Sequence, residues 1–224
     1  ATFAQAFPGT MPYSEGFGFI TNLEDEEENN VVDAVIAHEM AHQWWAHQEI
    51  PALMQGATFL TESFSEYSSL MVMKESSDPI KMREFLKYDM DRYLRGRSGE
   101  SEKELPLLKV ENQGYIHYGK GSVILFALQE MIGSDSVNAA LSEFLAAYRY
   151  QAPPYPNAHD FMAYLRPRVA DSLHYLLEDW IENITLYDFR LKEVELTEEG
   201  DLYTVNIDLE SFKYRADTLG TENP

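Results

Sequence analysis

The chain has 224 residues, 45% of them hydrophobic, enough to bury a core as one large domain or as a main domain with a smaller appendage, which excludes a disordered polypeptide. Its 17 Lys and Arg face 38 Asp and Glu, a formal charge of -21 that repels phosphate backbones and anionic headgroups and so excludes nucleic acid as a partner. Without cysteine there is neither a disulfide nor a thiolate metal site, and no apolar run approaches the eighteen residues or so that would span a bilayer.

Residues 1–7 lack a basic start and are too short for an apolar targeting core, so they do not read as a signal peptide. The absence of an initial Met and the stop after Pro224 read as an excised fragment. The first twenty residues are rich in Gly and aromatics, and residues 16–21 predict a short strand beside the site. The acidic run 24–28 reads as a loop or helix lead-in. Asn29 or Asn30 then caps a helix over residues 31–45, which contain no Pro or Gly. Residues 49–59, with Pro51 and Gly56, read as an irregular crossing, and a second helix is expected over 62–74. Asp78 and Pro79 open a third, in which Met82, Phe85, Leu86, Met90 and Tyr93 recur at helical spacing. Residues 96–104 read as an exposed loop.

Helical periodicity returns at 121–132, 136–148, 158–165 and 170–180, with a loop holding three prolines at 151–157. Beyond Asn183 the period drops to two: residues 190–196 and 203–209 alternate around a Glu-Glu-Gly-Asp turn and predict an antiparallel strand pair. The expected fold class is mostly α with a small β edge, followed by C-terminal antiparallel strands. Residues 1–185 form the main domain, and 186–224 form the truncated start of a β domain or a packed hairpin.

The chemistry concentrates in His38-Glu39-Met40-Ala41-His42, an HExxH motif. Four apart on a helix, the two imidazoles share a face and can reach one Zn²⁺, while Glu39 can reach water at that ion without closing its shell. A third protein ligand is needed. Glu62 is the first candidate, because the crossing lets its helix return beside the first, and Glu66, one turn later on the same face, is the alternative. Glu49 follows the first helix too closely to return. With Zn²⁺ as Lewis acid, Glu39 can take a proton from water and pass it to a leaving amine. The resulting oxyanion needs a donor, a task suited to a phenol.

Together these residues resemble the gluzincin aminopeptidase family, zinc peptidases with a thermolysin-like catalytic domain. Residues 37–45 are very similar to its first block, Leu60-Thr61-Glu62-Ser63-Phe64-Ser65 follows its second, and Tyr118-Gly119-Lys120-Gly121 matches its YxKG block. The resemblance implies His38, His42 and Glu62 as Zn²⁺ ligands, Glu39 as general base, Tyr118 as oxyanion donor and a peptide as substrate. Tyr115 becomes a candidate for the cleft wall. Three departures stand out. Residues 43–61, nineteen in all, separate His42 from Glu62, where the family has eighteen. The family's further glutamate, seven residues after its ligand, is replaced by Ser69. Its segment for the substrate's amino terminus is only echoed in residues 9–16, where Glu15 is the candidate ammonium anchor. His117 reads as a satisfied histidine near the site, and His47, His159 and His174 as surface or packing residues.

A narrower resemblance, to peptidase-like domains fused to bacterial ABC transporter permeases, rests on residues 44–48, 92–97 and 105–107. It implies a membrane-bound parent protein of which this chain is an extramembrane part. The expected function is aminopeptidase-like, zinc-dependent hydrolysis of peptide bonds. The rival from another class is a transporter-associated peptide-binding or structural domain that keeps zinc but turns over little.

Overall fold

The computed structural model describes residues 3–22, 24, 26–200 and 202–223. Helix α1 spans Glu26–Ala41, α2 Phe64–Ser76, α3 Pro79–Ser98, α4 Gly121–Ile132, α5 Ser134–Tyr148, α6 Ala158–Leu165 and α7 His174–Leu177. Strands β1 (Ile184–Glu199), β2 (Leu202–Ala216) and β3 (Glu222–Asn223) follow as one antiparallel sheet in that order. Among the described residues no helix is long and apolar enough to cross a membrane.

The chain opens with a small hairpin, bridged at Ala4–Tyr13 and Phe7–Thr10. Pro8 and Gly9 make its turn, Gly9 at φ +73, the pairing of a fixed and a left-handed residue that tight turns require. The Gln43 amide holds the turn and the first arm, accepting from Gly9 N and donating to the Phe7 carbonyl at 2.9 Å each. The strand expected at 16–21 is instead a π turn, Gly16–Ile20. Two glycines offer a pleated sheet nothing to pack, and the backbone bonds locally, Gly18 N to Ser14 O and Thr21 N to Gly16 O at 3.0 Å each. Helix α1 begins at Glu26, so Asn29 and Asn30 lie inside its first turns and neither is the cap.

Asp78 caps α3 by accepting from Ile80 N at 2.8 Å and Lys81 N at 3.0 Å, with Pro79 at the first helical position. Contrary to the expected loop at 96–104, α3 continues to Ser98, and Gly96 lies inside it because a Cβ there would fall 2.2 Å from the Tyr115 Cβ. Glu104 is buried, and its backbone N–H reaches the Thr218 carbonyl at 2.9 Å. Helix α6 has the expected bounds, and Asn157 and Asp160 form a reciprocal capping box at its start.

The core joins α2, α4, α5 and α6 around Phe59, Phe64, Phe144 and Phe161, all fully buried. Their rings meet edge to face, with centroids 4.6 Å apart for Phe64–Phe161 and 5.5 Å for Phe144–Phe161. Residues 170–180, expected as one helix, divide into a 3₁₀ turn at Asp171–Leu173, α7, and a π turn at Glu178–Glu182. Buried Asp179 in that last turn anchors the hairpin through Arg215 at 2.5 Å, Lys213 at 3.1 Å and the Tyr187 hydroxyl at 3.2 Å. Beyond this base the hairpin stands clear of the helices. The pairs Leu191–Leu209, Val194–Ile207 and Leu196–Val205 share one face and are exposed.

Candidate metal centre

Helix α1 stacks His38 and His42 one turn apart, and their Nε2 atoms lie 3.1 Å from each other. The π turn Phe59–Ser63 brings Glu62 across from them, with Oε2 3.4 Å from each Nε2. Donors held about 2.0–2.1 Å from Zn²⁺ at tetrahedral angles stand roughly 3.3–3.4 Å apart, so this triangle of two imidazoles and a carboxylate fits that ion. Among the described residues these three are the group whose ligand atoms converge this way, all within 4.8 Å.

The opposite ring nitrogens are also engaged. His42 Nδ1 lies 3.0 Å from both the Trp45 carbonyl and the Ser65 hydroxyl, and His38 Nδ1 lies 2.5 Å from Glu66 Oε2. Glu66, the alternative ligand from sequence, thus sits behind His38, on the nitrogen facing away from the cluster. Partners of this kind fix the tautomer and orientation of a ligating imidazole. Burial depresses the His38 imidazole, but the carboxylates of Glu62 and Glu66 outweigh it and raise it to about 10. Burial pushes the Glu62 carboxyl up, yet His38 and His42 prevail and hold it well below the usual range. Two basic nitrogens and a carboxylate crowded this closely are a charge arrangement that a cation relieves.

Glu62 is not in the first turn of an α-helix. It lies in a π turn, which carries more residues per turn than an α turn. Ser69, at the position of the missing glutamate, donates to the Ala34 carbonyl at 2.8 Å and ties α2 to α1.

Tyr118 sits in a further π turn, Tyr115–Lys120. The glycines on either side of Lys120 explain how it reaches the cluster. A Cβ on Gly119 would lie 2.7 Å from the Asp89 carbonyl and 3.0 Å from Tyr93 N on α3, and one on Gly121 would lie 2.1 Å from the Ser63 hydroxyl. Only residues without side chains permit contact on both flanks. The Tyr118 phenol is raised by burial first and then by the nearby charge of Glu62. The Arg92 guanidinium lies over its ring, 4.5 Å from the centroid. Lys120 is buried over the Tyr93 ring at 5.5 Å, with no hydrogen-bond partner for Nζ among the described residues, and burial lowers it to about 8.

A pocket of about 280 Å³ opens on the cluster, lined by His38, Glu39, His42, Glu62 and Tyr118 together with His47, Ala46 and residues 4–6 of the hairpin. The structure therefore gathers Glu39 and Tyr118 with the three convergent donors. It does not bring Glu15 or Tyr115 among the pocket-lining residues. Glu15 is exposed at the head of the Gly16–Ile20 turn. Tyr115 stacks on Tyr93 at 6.1 Å and donates to Glu100 at 3.0 Å, a packing role behind the site. His117 packs edge-on against Tyr118 at 4.4 Å and faces the Glu111 carbonyl with Nδ1 at 3.3 Å.

His47, expected as a surface or packing residue, lines the pocket, and among the described residues its Nε2 has no hydrogen-bond partner. The preceding Ala46 has φ +105, a costly conformation for a residue with a Cβ, and it redirects the chain after the HExxH helix. No metal-ligand spacing marks His47, so only the three-dimensional turn reveals it. His159 and His174 line a separate cavity of about 440 Å³, where Arg166 is paired with Glu182.

The Peptidase family M1 domain matches residues 15–180. No curated protein matches the chain. Among solved structures it resembles an M1 zinc metallopeptidase variant from Deinococcus radiodurans bound to a Tyr-Ser-Ala substrate, with TM-score 0.57 and 16% identity over 81% of this chain and 37% of that one. It also resembles a two-domain M1 zinc metallopeptidase variant bound to L-tryptophan, with TM-score 0.56 and 18% identity over 80% of this chain and 37% of that one. A third, an M1 zinc metallopeptidase from Deinococcus radiodurans, has TM-score 0.55 and 18% identity over 80% and 36% of the two chains. The chain spans little more than a third of the length of these proteins, and the shared fold is the mostly helical, thermolysin-like one.

Proposed function

The chain belongs to peptidase family M1, and from that premise we propose that it is an aminopeptidase-like zinc metallopeptidase, with His38, His42 and Glu62 holding Zn²⁺. The observation that carries this reading is the convergence of those three donors in a pocket also lined by Glu39 and Tyr118. Bound there, Zn²⁺ supplies Lewis-acid polarisation of a peptide carbonyl and makes water a nucleophile near neutral pH.

The protein's own groups do the rest. Glu39, adjacent to the first ligand and facing the pocket, accepts a proton from the attacking water and passes it to the departing amine. Tyr118 donates its hydroxyl to the oxyanion that develops on the scissile carbonyl. Glu66 and Ser65 keep the two imidazoles turned so that both Nε2 atoms face the cluster.

Residues 1–185 are proposed as the catalytic domain and 186–224 as the opening of a β domain, a reading supported by the uncovered apolar face of the hairpin. The narrower likeness to permease-fused peptidase domains supports an extramembrane position beside a bacterial membrane transporter. The test is turnover of paired free and N-acetylated peptides by protein of measured zinc content. Hydrolysis with free-amine preference supports the aminopeptidase, and equal cleavage of both makes it an endopeptidase. No turnover by zinc-loaded, folded protein across a broad library assigns it to peptide binding.

A further inference from the structure

Arg92 leaves α3 toward the site and lays its guanidinium on the Tyr118 ring, 4.5 Å from the centroid. Its neighbours on the same helix use their charges differently. Arg95 pairs with Asp91 at 3.6 Å and Arg97 with Glu104 at 2.9 Å, whereas among the described residues no carboxylate stands within ion-pair distance of Arg92. In a chain with 38 acidic and 17 basic residues, an arginine reserved for a tyrosine ring is unlike its surroundings.

The backbone around this contact is fixed from both sides. Gly119 lies directly against the Asp89 carbonyl and Tyr93 N, and the Ser122 hydroxyl donates to Asp89 at 2.8 Å, so the turn carrying Tyr118 is locked to the part of α3 that carries Arg92. The ring itself is held less completely. His117 meets it edge-on at 4.4 Å and the His38 ring is tilted at 5.7 Å. A partly buried guanidinium on the ring face adds a cation–π attraction to these contacts.

We propose that Arg92 is a positioning residue for Tyr118, its guanidinium holding the ring so that the phenol O–H points into the pocket. The inference rests on the reading of Tyr118 as the oxyanion donor and extends it to a side chain that does not line the pocket. Because the guanidinium acts through the ring, its effect belongs in the chemical step rather than in substrate affinity.

The experiment compares zinc-loaded Arg92→Gln and Arg92→Lys with the unmodified protein, each with Tyr118 and with Tyr118→Phe, on one cleaved peptide. Arg92→Gln is expected to lower kcat by about tenfold with KM changed less than about threefold, and Arg92→Lys to recover most of the loss. With Tyr118→Phe in place, Arg92→Gln should change kcat by less than about twofold, since the two act as one unit. A loss that persists beside Tyr118→Phe, or one confined to KM, overturns the proposal and makes Arg92 a substrate contact. If the unmodified protein cleaves nothing, the hydrolase reading fails separately. The positioning is then read in metal-free protein with 3-fluorotyrosine at position 118, whose ¹⁹F resonance should shift or broaden in Arg92→Gln and stay in place in Arg92→Lys. An unmoved resonance in Arg92→Gln overturns the proposal.

Discussion

The Ser63 hydroxyl donates to the His117 carbonyl at 2.6 Å, and this bond joins the turn that carries Glu62 to the turn that carries Tyr118. Gly121 makes the approach possible, because a Cβ there would lie 2.1 Å from the Ser63 Oγ and 2.6 Å from its Cβ. Gly121→Ala is therefore expected to destabilise the fold by roughly 1–3 kcal/mol, the usual range for forced overpacking. Ser63→Gly in the same chain removes both atoms that the new methyl meets and should restore part of the loss. Urea denaturation of the unmodified protein, Gly121→Ala and the double variant measures this, and a silent Gly121→Ala would mean that the two turns are not held at this point.

The same pair of turns marks where sequence reading reaches and where it stops. The HExxH helix, the Asp78 cap and the bounds of α6 follow from local rules: apolar spacing, a capping side chain and a proline at the helix start. The π turns at Phe59–Ser63 and Tyr115–Lys120 do not, because an added residue in one turn leaves no mark in a 3.6-residue pattern. Residues 96–104 look like an exposed loop because they are charged and glycine-rich. Glu104 is nevertheless buried, since Tyr93 and Arg97 satisfy it at 2.9 Å each, and Gly96 is helical because the Tyr115 side chain fills the space beside it. The sequence does not mark Arg92 or His47 as site residues for a similar reason. Neither has a sequence partner, and both acquire their setting only when distant segments meet.

Glu62 and Glu66 differ by one turn in sequence but face opposite nitrogens of His38, at 3.4 Å from Nε2 and 2.5 Å from Nδ1. Glu62→Ala should therefore remove a ligand and abolish stoichiometric zinc. Glu66→Gln keeps all three donors and should weaken zinc by about 10–100-fold, the usual cost of losing a group that orients a ligating imidazole. Competition with a chelator of known affinity measures both. The reverse order would exchange their roles.

Glu39 borders the pocket, and its carboxylate is not one of the three convergent donors. Glu39→Gln is expected to retain zinc within a modest factor and to lower peptide-amide turnover by at least about 10²-fold, the range for a positioned general base. Tyr118→Phe should also lower turnover without loss of zinc, because it removes a donor to the oxyanion. Metal content and kcat determined on the same preparations separate the two quantities. Unchanged turnover in Glu39→Gln would reject the proton-transfer role.

Lys120 places a titratable amine in the interior beside Tyr93, with no hydrogen-bond partner for Nζ among the described residues. Burial lowers it from 10.5 to about 8, with partial opposition from Glu104. The sign follows from proton binding. Between pH 8 and 10.5 the unfolded chain holds a proton that the folded chain has released, so stability contributed by this group rises with pH across that window. Below it the full penalty for a buried ammonium applies, on the order of 3 kcal/mol for a shift of this size. Lys120→Met, similar in length and without charge, is expected to be more stable than the unmodified protein at pH 7, by up to about 3 kcal/mol less any packing mismatch. The advantage should shrink toward pH 10.5. Denaturant midpoints for both proteins from pH 7 to 10.5 give the difference directly, and a gap that stays constant with pH would show that Lys120 keeps its ordinary affinity for the proton. Lys120 also lies between the two glycines that seat Tyr118, so a more stable Lys120→Met with lower kcat would place the residue among those retained for the site at the expense of the fold.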